Sequence, residues 1–217
     1  MTAIVATVVG VFSEYQERSK DRAVRGAMLL AQIHQLRSLP IEERDAPLHA
    51  IVEALSRDDF PLDRIDLSDM ILHDLDLSGA SFRHANFDDV QILNVKFRSS
   101  NLRETTFNRG RISGADFRYA DLEGATFGYA INIKNVDFSN SNLASVIFSY
   151  TNIDGSVNFQ NARLDNAFFV NTNLSNADLS LARGLKPEQL GTACAMPNAI
   201  PKLPESIHWR GMRCNRQ

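Results

Sequence analysis

A period of five residues is the feature that most constrains this chain. In the stretch "ADFRYADLEGATFGY" (residues 115–129), Ala recurs at 115, 120 and 125, and Phe or Leu at 117, 122 and 127. A helix repeats its faces about every 3.6 residues and a strand about every 2, so the period belongs to a higher-order repeat. Large apolar residues hold the register without a break from Leu62 to Phe127. After a one-residue slip it resumes at Ile133 and runs to Ile153, and after a second slip it runs from Phe159 to Leu179. Small residues such as Ala85, Ser100, Thr105, Ala115 and Ala177 stand two positions before these centres. Asp or Asn often stands between, as at Asn86, Asn101, Asp116, Asp121, Asn173 and Asp178.

Every fourth centre sorts by type. A first series reads Leu62, Phe82, Leu102, Leu122, Leu143, Leu164, and a second Leu67, Phe87, Phe107, Phe127, Phe148, Phe169. The third is Leu72, Ile92, Ile112, Ile133, Ile153, Leu174, and the fourth Leu77, Phe97, Phe117, Phe138, Phe159, Leu179. The sorting survives both slips, so each slip reads as a one-residue bulge at a corner. Four units make one turn, like side chains stack on like, and the centres form six coils of a four-sided solenoid.

These units resemble those of the pentapeptide-repeat family: Ala, then Asp or Asn, then Leu or Phe, then two freer positions. The resemblance covers residues 60–183. It implies an all-β fold, a right-handed quadrilateral β-helix, with the central and the preceding small side chains inward and the other three facing solvent. The first four units carry Phe60, Ile65, Met70 and Leu75 where small residues belong, which suits an end coil packed against a cap.

The flanks divide into residues 1–37, an apolar segment and an amphipathic helix, residues 38–59, a capping helix, and residues 184–217, a C-terminal cap and tail. An open-ended β-helix exposes unpaired strand edges, so caps are required. "APLHAIVEALSR" (46–57) predicts a helix with Asp45 as N-cap, Pro47 in its first turn and Leu48, Ile51, Val52 and Leu55 on its apolar face. Pro187 marks a helix start after the last unit, and Ile200, Leu203, Ile207 and Trp209 are available to cover the far end. "MTAIVATVVGVF" (1–12) carries no charge but is shorter than the roughly twenty residues of a membrane span. It reads either as a membrane anchor or as a segment packed on a partner chain or the solenoid. Arg18, Lys20, Arg22 and Arg25 favour a cytoplasmic rod at the inner face of the membrane. Cys194 and Cys214 read first as buried thiols, with a disulfide between them as the alternative in an oxidising compartment.

Chemistry finds little footing. None of His34, His49, His73, His84 and His208 has metal-ligand spacing to another His or to a Cys, and Asp74 and Asp76 are explained by the repeat. No phosphate loop or nucleophile elbow is present. No catalytic residue, metal or cofactor is expected, and the surface becomes the subject. Residues 58–89 carry nine acids and two bases, and residues 90–118 two acids and six bases. Arg83, Arg98, Arg103 and Arg118, with Lys96 and Arg111 nearby, form a candidate anion-binding patch. Ile147 and Phe168 stand where Asp or Asn is usual, bordered by Tyr129, Tyr150 and Val170, and form a candidate partner-binding cluster. The C-terminal tail or N-terminal helix is expected to cover it, and contact with another chain is the competing expectation. The chain therefore reads as a non-enzymatic protein-interaction scaffold. The family resemblance supplies an alternative, a DNA mimic that modulates a type II topoisomerase. Nucleic acid itself is not an expected partner, and the oligomeric state stays open.

Overall fold

The computed structural model describes residues 20–36, 38–57, 60–129, 131–154 and 156–214. Residues 1–60 and 61–217 form two compact units. The expected anchor, residues 1–12, lies outside the described residues. Among those described, no helix is long and apolar enough to cross a membrane.

In the first unit, residues 20–36 are helical (α1) and a second helix, α2, spans Ile41–Arg57. Gly26 of α1 faces the Phe60 ring so closely that an added Cβ would collide with it. The turn between the helices is held by Ser38, whose N–H and hydroxyl both donate to the Gln35 carbonyl, and by Arg44 Nε donating to Leu39 O at 2.7 Å. Helix α2 starts earlier than the sequence predicts. Pro47 lies inside it rather than in its first turn, at the loss of one ladder hydrogen bond, and Asp45 is helical rather than an N-cap. The expected face, Leu48, Ile51, Val52 and Leu55, is buried.

The second unit is a parallel β-solenoid whose register is the one the four series predict. On the third-series face, face 3, strands β1 (Ile71–His73), β2 (Gln91–Leu93), β3 (Arg111–Ser113), β5 (Asn132–Lys134) and β7 (Asn152–Asp154) pair in that order. They align Leu72, Ile92, Ile112, Ile133 and Ile153. On the second-series face, face 2, β4 (Thr126–Gly128), β6 (Ile147–Ser149) and β8 (Phe168–Val170) align Phe127, Phe148 and Phe169. Faces 1 and 4, from the first and fourth series, are joined by single parallel bridges such as Ser81 with Asn101 and Lys96 with Asp116. Both slips contain a residue, 130 and 155, outside the described ones, and the strands beyond them stay in phase.

Stacked rings fill the interior. Phe87, Phe107, Phe127, Phe148 and Phe169 stack at centroid spacings of 4.8–5.3 Å, and Phe97, Phe117, Phe138 and Phe159 at 5.0–5.2 Å. The two columns meet edge to face, the arrangement the ring quadrupole favours. Polar residues in the small inward position are satisfied locally: Ser100, Thr105 and Ser141 donate to the carbonyls of Phe97, Leu102 and Phe138.

Each corner has a defined backbone. The residue two places after a centre lies in the left-handed region, as at Asp69, Asn94, Asn135 and Asn176. The Asp or Asn before a centre accepts the N–H two residues on, as Asp66 does from Ser68, Asp116 from Arg118 and Asn158 from Gln160. This Asx turn is the physical reason for the acid–amide position. It also accounts for Asp76, which accepts from the Ser78 N–H and hydroxyl.

The C-terminal segment continues the rod into a seventh coil. Cys194 bridges Asn173 and Lys202 bridges Asp178. At Pro187–Leu190 a 3₁₀ turn begins at the expected proline, and Gln189 Nε2 donates to the Leu164 and Ala167 carbonyls at 2.9 and 2.7 Å. Strand β9 (Cys194–Ala195) then pairs with β10 (Met212–Arg213). Cys194 and Cys214 are joined in a disulfide, the alternative to the first-expected buried thiols. Their separation of 20 residues matches one coil, which sets one cysteine over the other.

Candidate functional site

Several charges of the rod pair with one another, many of them one coil apart. Lys96 pairs with Asp76 at 3.3 Å, Arg109 with Asp89 at 2.8 Å and Asp88 at 3.4 Å, and Arg103 with Glu123 at 2.7 Å and Asp121 at 3.3 Å. Asp76, Asp88 and Asp89 of the acidic block thus meet Lys96 and Arg109 of the basic block. Arg118 grips Asp116 through two hydrogen bonds of 2.8 and 2.6 Å. Those bonds hold the Asp116 carboxyl below its ordinary value against the opposing effect of burial. Hydrogen bonds from Arg103, then Asn142, do the same for Glu123.

The expected anion-binding patch therefore divides. Arg103 and Arg118 are committed to carboxylates, and Arg98 lies over the Tyr119 ring at 5.4 Å. Arg83 is exposed, with its backbone N–H donating to Asp63. Arg111 belongs elsewhere, on face 3, beside a depression that it lines with Ser113, Asn132 and Lys134. The acids Asp74 and Asp76 contact His73, Ser78 and Lys96. Among the described residues no group of His, Cys, Asp and Glu could hold a metal ion.

The apolar cluster is brought together as the register requires. Ile147 and Phe168 are register partners on β6 and β8, and Val170 lies on the same strand as Phe168. Tyr129 and Tyr150 occupy the adjoining corner, with φ of 61° and 53°. The covering expected from the C-terminal tail is not found, because that segment extends the rod instead. Relative exposure is 65% at Tyr129, 58% at Tyr150, 52% at Phe168, 38% at Ile147 and 37% at Val170. Bulky residues are rare in the left-handed region, and Asn or Gly would fit these corners at lower cost. Tyr119 holds the same backbone at another corner, with φ of 61° and its ring under Arg98.

Comparison with known proteins agrees with the repeat. The family model "Pentapeptide repeats" matches in eight copies over residues 62–98, 93–128 and 156–183. No curated protein matches the sequence. Among solved structures the chain is similar to QnrB1, a plasmid-mediated fluoroquinolone resistance protein, at 16% identity over 70% of this chain and 82% of that one, with a TM-score of 0.38. It is also similar to HetL from the cyanobacterium Nostoc sp. strain PCC 7120, a pentapeptide repeat protein involved in heterocyst differentiation regulation (20% identity, 69% and 68% covered, TM-score 0.29). A third is Rfr23 from the cyanobacterium Cyanothece 51142 (14% identity, 64% and 87% covered, TM-score 0.29). With its register, its stacked centres and the family model all describing one repeat, the rod of this chain is built of pentapeptide repeats.

Proposed function

We propose that the protein is a non-enzymatic scaffold that docks a protein partner on face 2. The carrying observation is the exposed cluster of Ile147, Phe168, Val170, Tyr129 and Tyr150, built on three paired strands and two corners. Apolar and aromatic groups on a rigid sheet supply contact area at little ordering cost, and buried aromatic anchors dominate interface energetics. The DNA-mimic alternative draws less support, because Asp76, Asp88, Asp89, Asp121 and Glu123 are matched by bases within the rod. A photo-crosslinking side chain placed at position 168 is expected to trap a discrete protein in the host. The same group at position 98, on face 4, is not. Equal trapping at both positions would remove the docking face.

Attachment to a membrane through residues 1–12 completes the proposal, and Arg18, Lys20, Arg22 and Arg25 would keep the rod on the cytoplasmic side. The Cys194–Cys214 disulfide is the opposing observation, since disulfides persist in oxidising compartments. Alkylating the thiols in intact cells before lysis decides the side: blocked, separate thiols place the rod in the cytoplasm, and an intact bridge places it outside.

A further inference from the structure

We propose that face 3 carries a binding site for a phosphomonoester group, centred on Arg111. The site is a depression of about 370 Å³ lined by Arg111 and Ser113 of β3 and Asn132 and Lys134 of β5, over Ile112. Register pairs Arg111 with Asn132 and Ser113 with Lys134, so the four polar side chains form a square with the two cations on a diagonal. A tetrahedral phosphate there meets the Arg111 guanidinium at one corner and the neutral donors Ser113 and Asn132 at the two corners beside it.

The orientation of Asn132 makes the square a set of donors. An amide's oxygen and nitrogen are assigned from its bonding network, and here the network is anchored at one end. Asn173 Oδ1 accepts from both the backbone N–H of Ser175 at 3.0 Å and its hydroxyl at 2.6 Å. The amide nitrogen of Asn173 must then point down the column, where it donates to Asn152 Oδ1 at 2.6 Å. Asn152 Nδ2 in turn donates to Asn132 Oδ1 at 3.2 Å. The ladder therefore ends with Asn132 Nδ2, a donor in the wall of the depression. The next position down the column is Arg111, which has nothing to accept with.

The acid nearest the square in register is Asp154 of β7, which pairs with Lys134 one coil above. The face-3 outward positions below it are Gln91 and Leu93, and the corner residues beside it are Asn94, Gly114 and Asn135. No ion pair joins Arg111 to a described residue. Lys134 also has a contact elsewhere in the chain, which leaves Arg111 as the principal charge. Guanidinium groups bind phosphate through paired hydrogen bonds.

The test is a titration of the full chain with inorganic phosphate, followed by amide NMR shifts. Saturable shifts confined to residues around 111–113 and 132–134 are expected. Arg111→Ala should weaken binding about tenfold or more, the usual loss for a charge-assisted hydrogen bond. Asn132→Asp keeps the shape but replaces the donor by a carboxylate oxygen, and should abolish binding with no change in melting temperature. Arg83→Ala, which removes an exposed arginine from face 1, should leave it unchanged. Sedimentation with phosphatidylcholine vesicles, with and without phosphatidate, separates the sources: Arg111-dependent binding only to phosphatidate vesicles identifies a lipid headgroup, and its absence identifies a soluble phosphate. Shifts without saturation, or an Arg83→Ala loss equal to that of Arg111→Ala, would overturn the site.

Discussion

The Phe107 and Phe127 rings lie one directly over the other, with centroids 4.8 Å apart and planes within 2° of parallel. Both side chains are fully buried, and each also meets the second column edge-on. Phe107→Ala opens a cavity that neighbouring coils cannot close without leaving register. It should cost roughly 3–5 kcal/mol in chemical denaturation. Asp116→Ala, on the outside, removes one Asx turn and one partly exposed ion pair and should cost about 1 kcal/mol. Equal costs would mean that the inward and outward positions are misassigned.

Tyr129 and Tyr150 offer a test in which function and stability move in opposite directions. Both hold left-handed backbone with an exposed ring. Replacing each by Asn, the residue that other corners such as Asn135 and Asn140 use, should keep or raise the melting temperature while weakening partner capture. A loss of stability would show that the rings serve the fold.

Acid should act on the carboxylates that the arginines hold. Asp116 and Glu123 are shifted down by their hydrogen bonds, so each binds its proton less readily folded than unfolded. Their stabilisation is complete above their ordinary values, near pH 4 to 5, and is lost as pH falls through the lower folded values. Arg118→Gln should return Asp116 toward its ordinary value and flatten that part of the profile in pH-dependent melts. An unchanged slope would show that the pair adds nothing.

The disulfide closes a loop of 20 residues, and a loop of that size constrains the unfolded chain by about 3 kcal/mol. Reduction, or Cys214→Ser, should lower the melting point and raise hydrogen exchange at β10, which pairs with β9 over only two residues. Identical exchange in oxidised and reduced protein would show that the bridge does not hold the tail.

Much of this was legible because a solenoid writes its register into the sequence. The sorting of Leu, Phe and Ile centres is the observed pairing of Leu72 with Ile92 and of Phe127 with Phe148. Two features sit at the coil spacing of 20 and do not show in the apolar centres. Asp89 with Arg109 and Arg103 with Glu123 are each 20 apart, and so are the two cysteines, so aligning each residue with its neighbour one coil on would have revealed ladder and bridge alike. The corner positions vary freely in type, yet Asp69, Asn94, Gly114, Asn135 and Asn176 mark a left-handed backbone there. The start of α2 was not legible, since Pro47 argues for a first turn and only the wider packing admits it deeper in the helix.

The docking claim rests on Phe168, and one comparison tests it most directly. Wild type, Phe168→Asp and Arg83→Ala are to be used as bait in host extract, with the melting temperature of each measured alongside. A discrete partner should be retained by wild type and Arg83→Ala and lost by Phe168→Asp, with all three melting alike because Phe168 is already half exposed. The same partner captured by Phe168→Asp would contradict it, as would a marked fall in that variant's melting temperature.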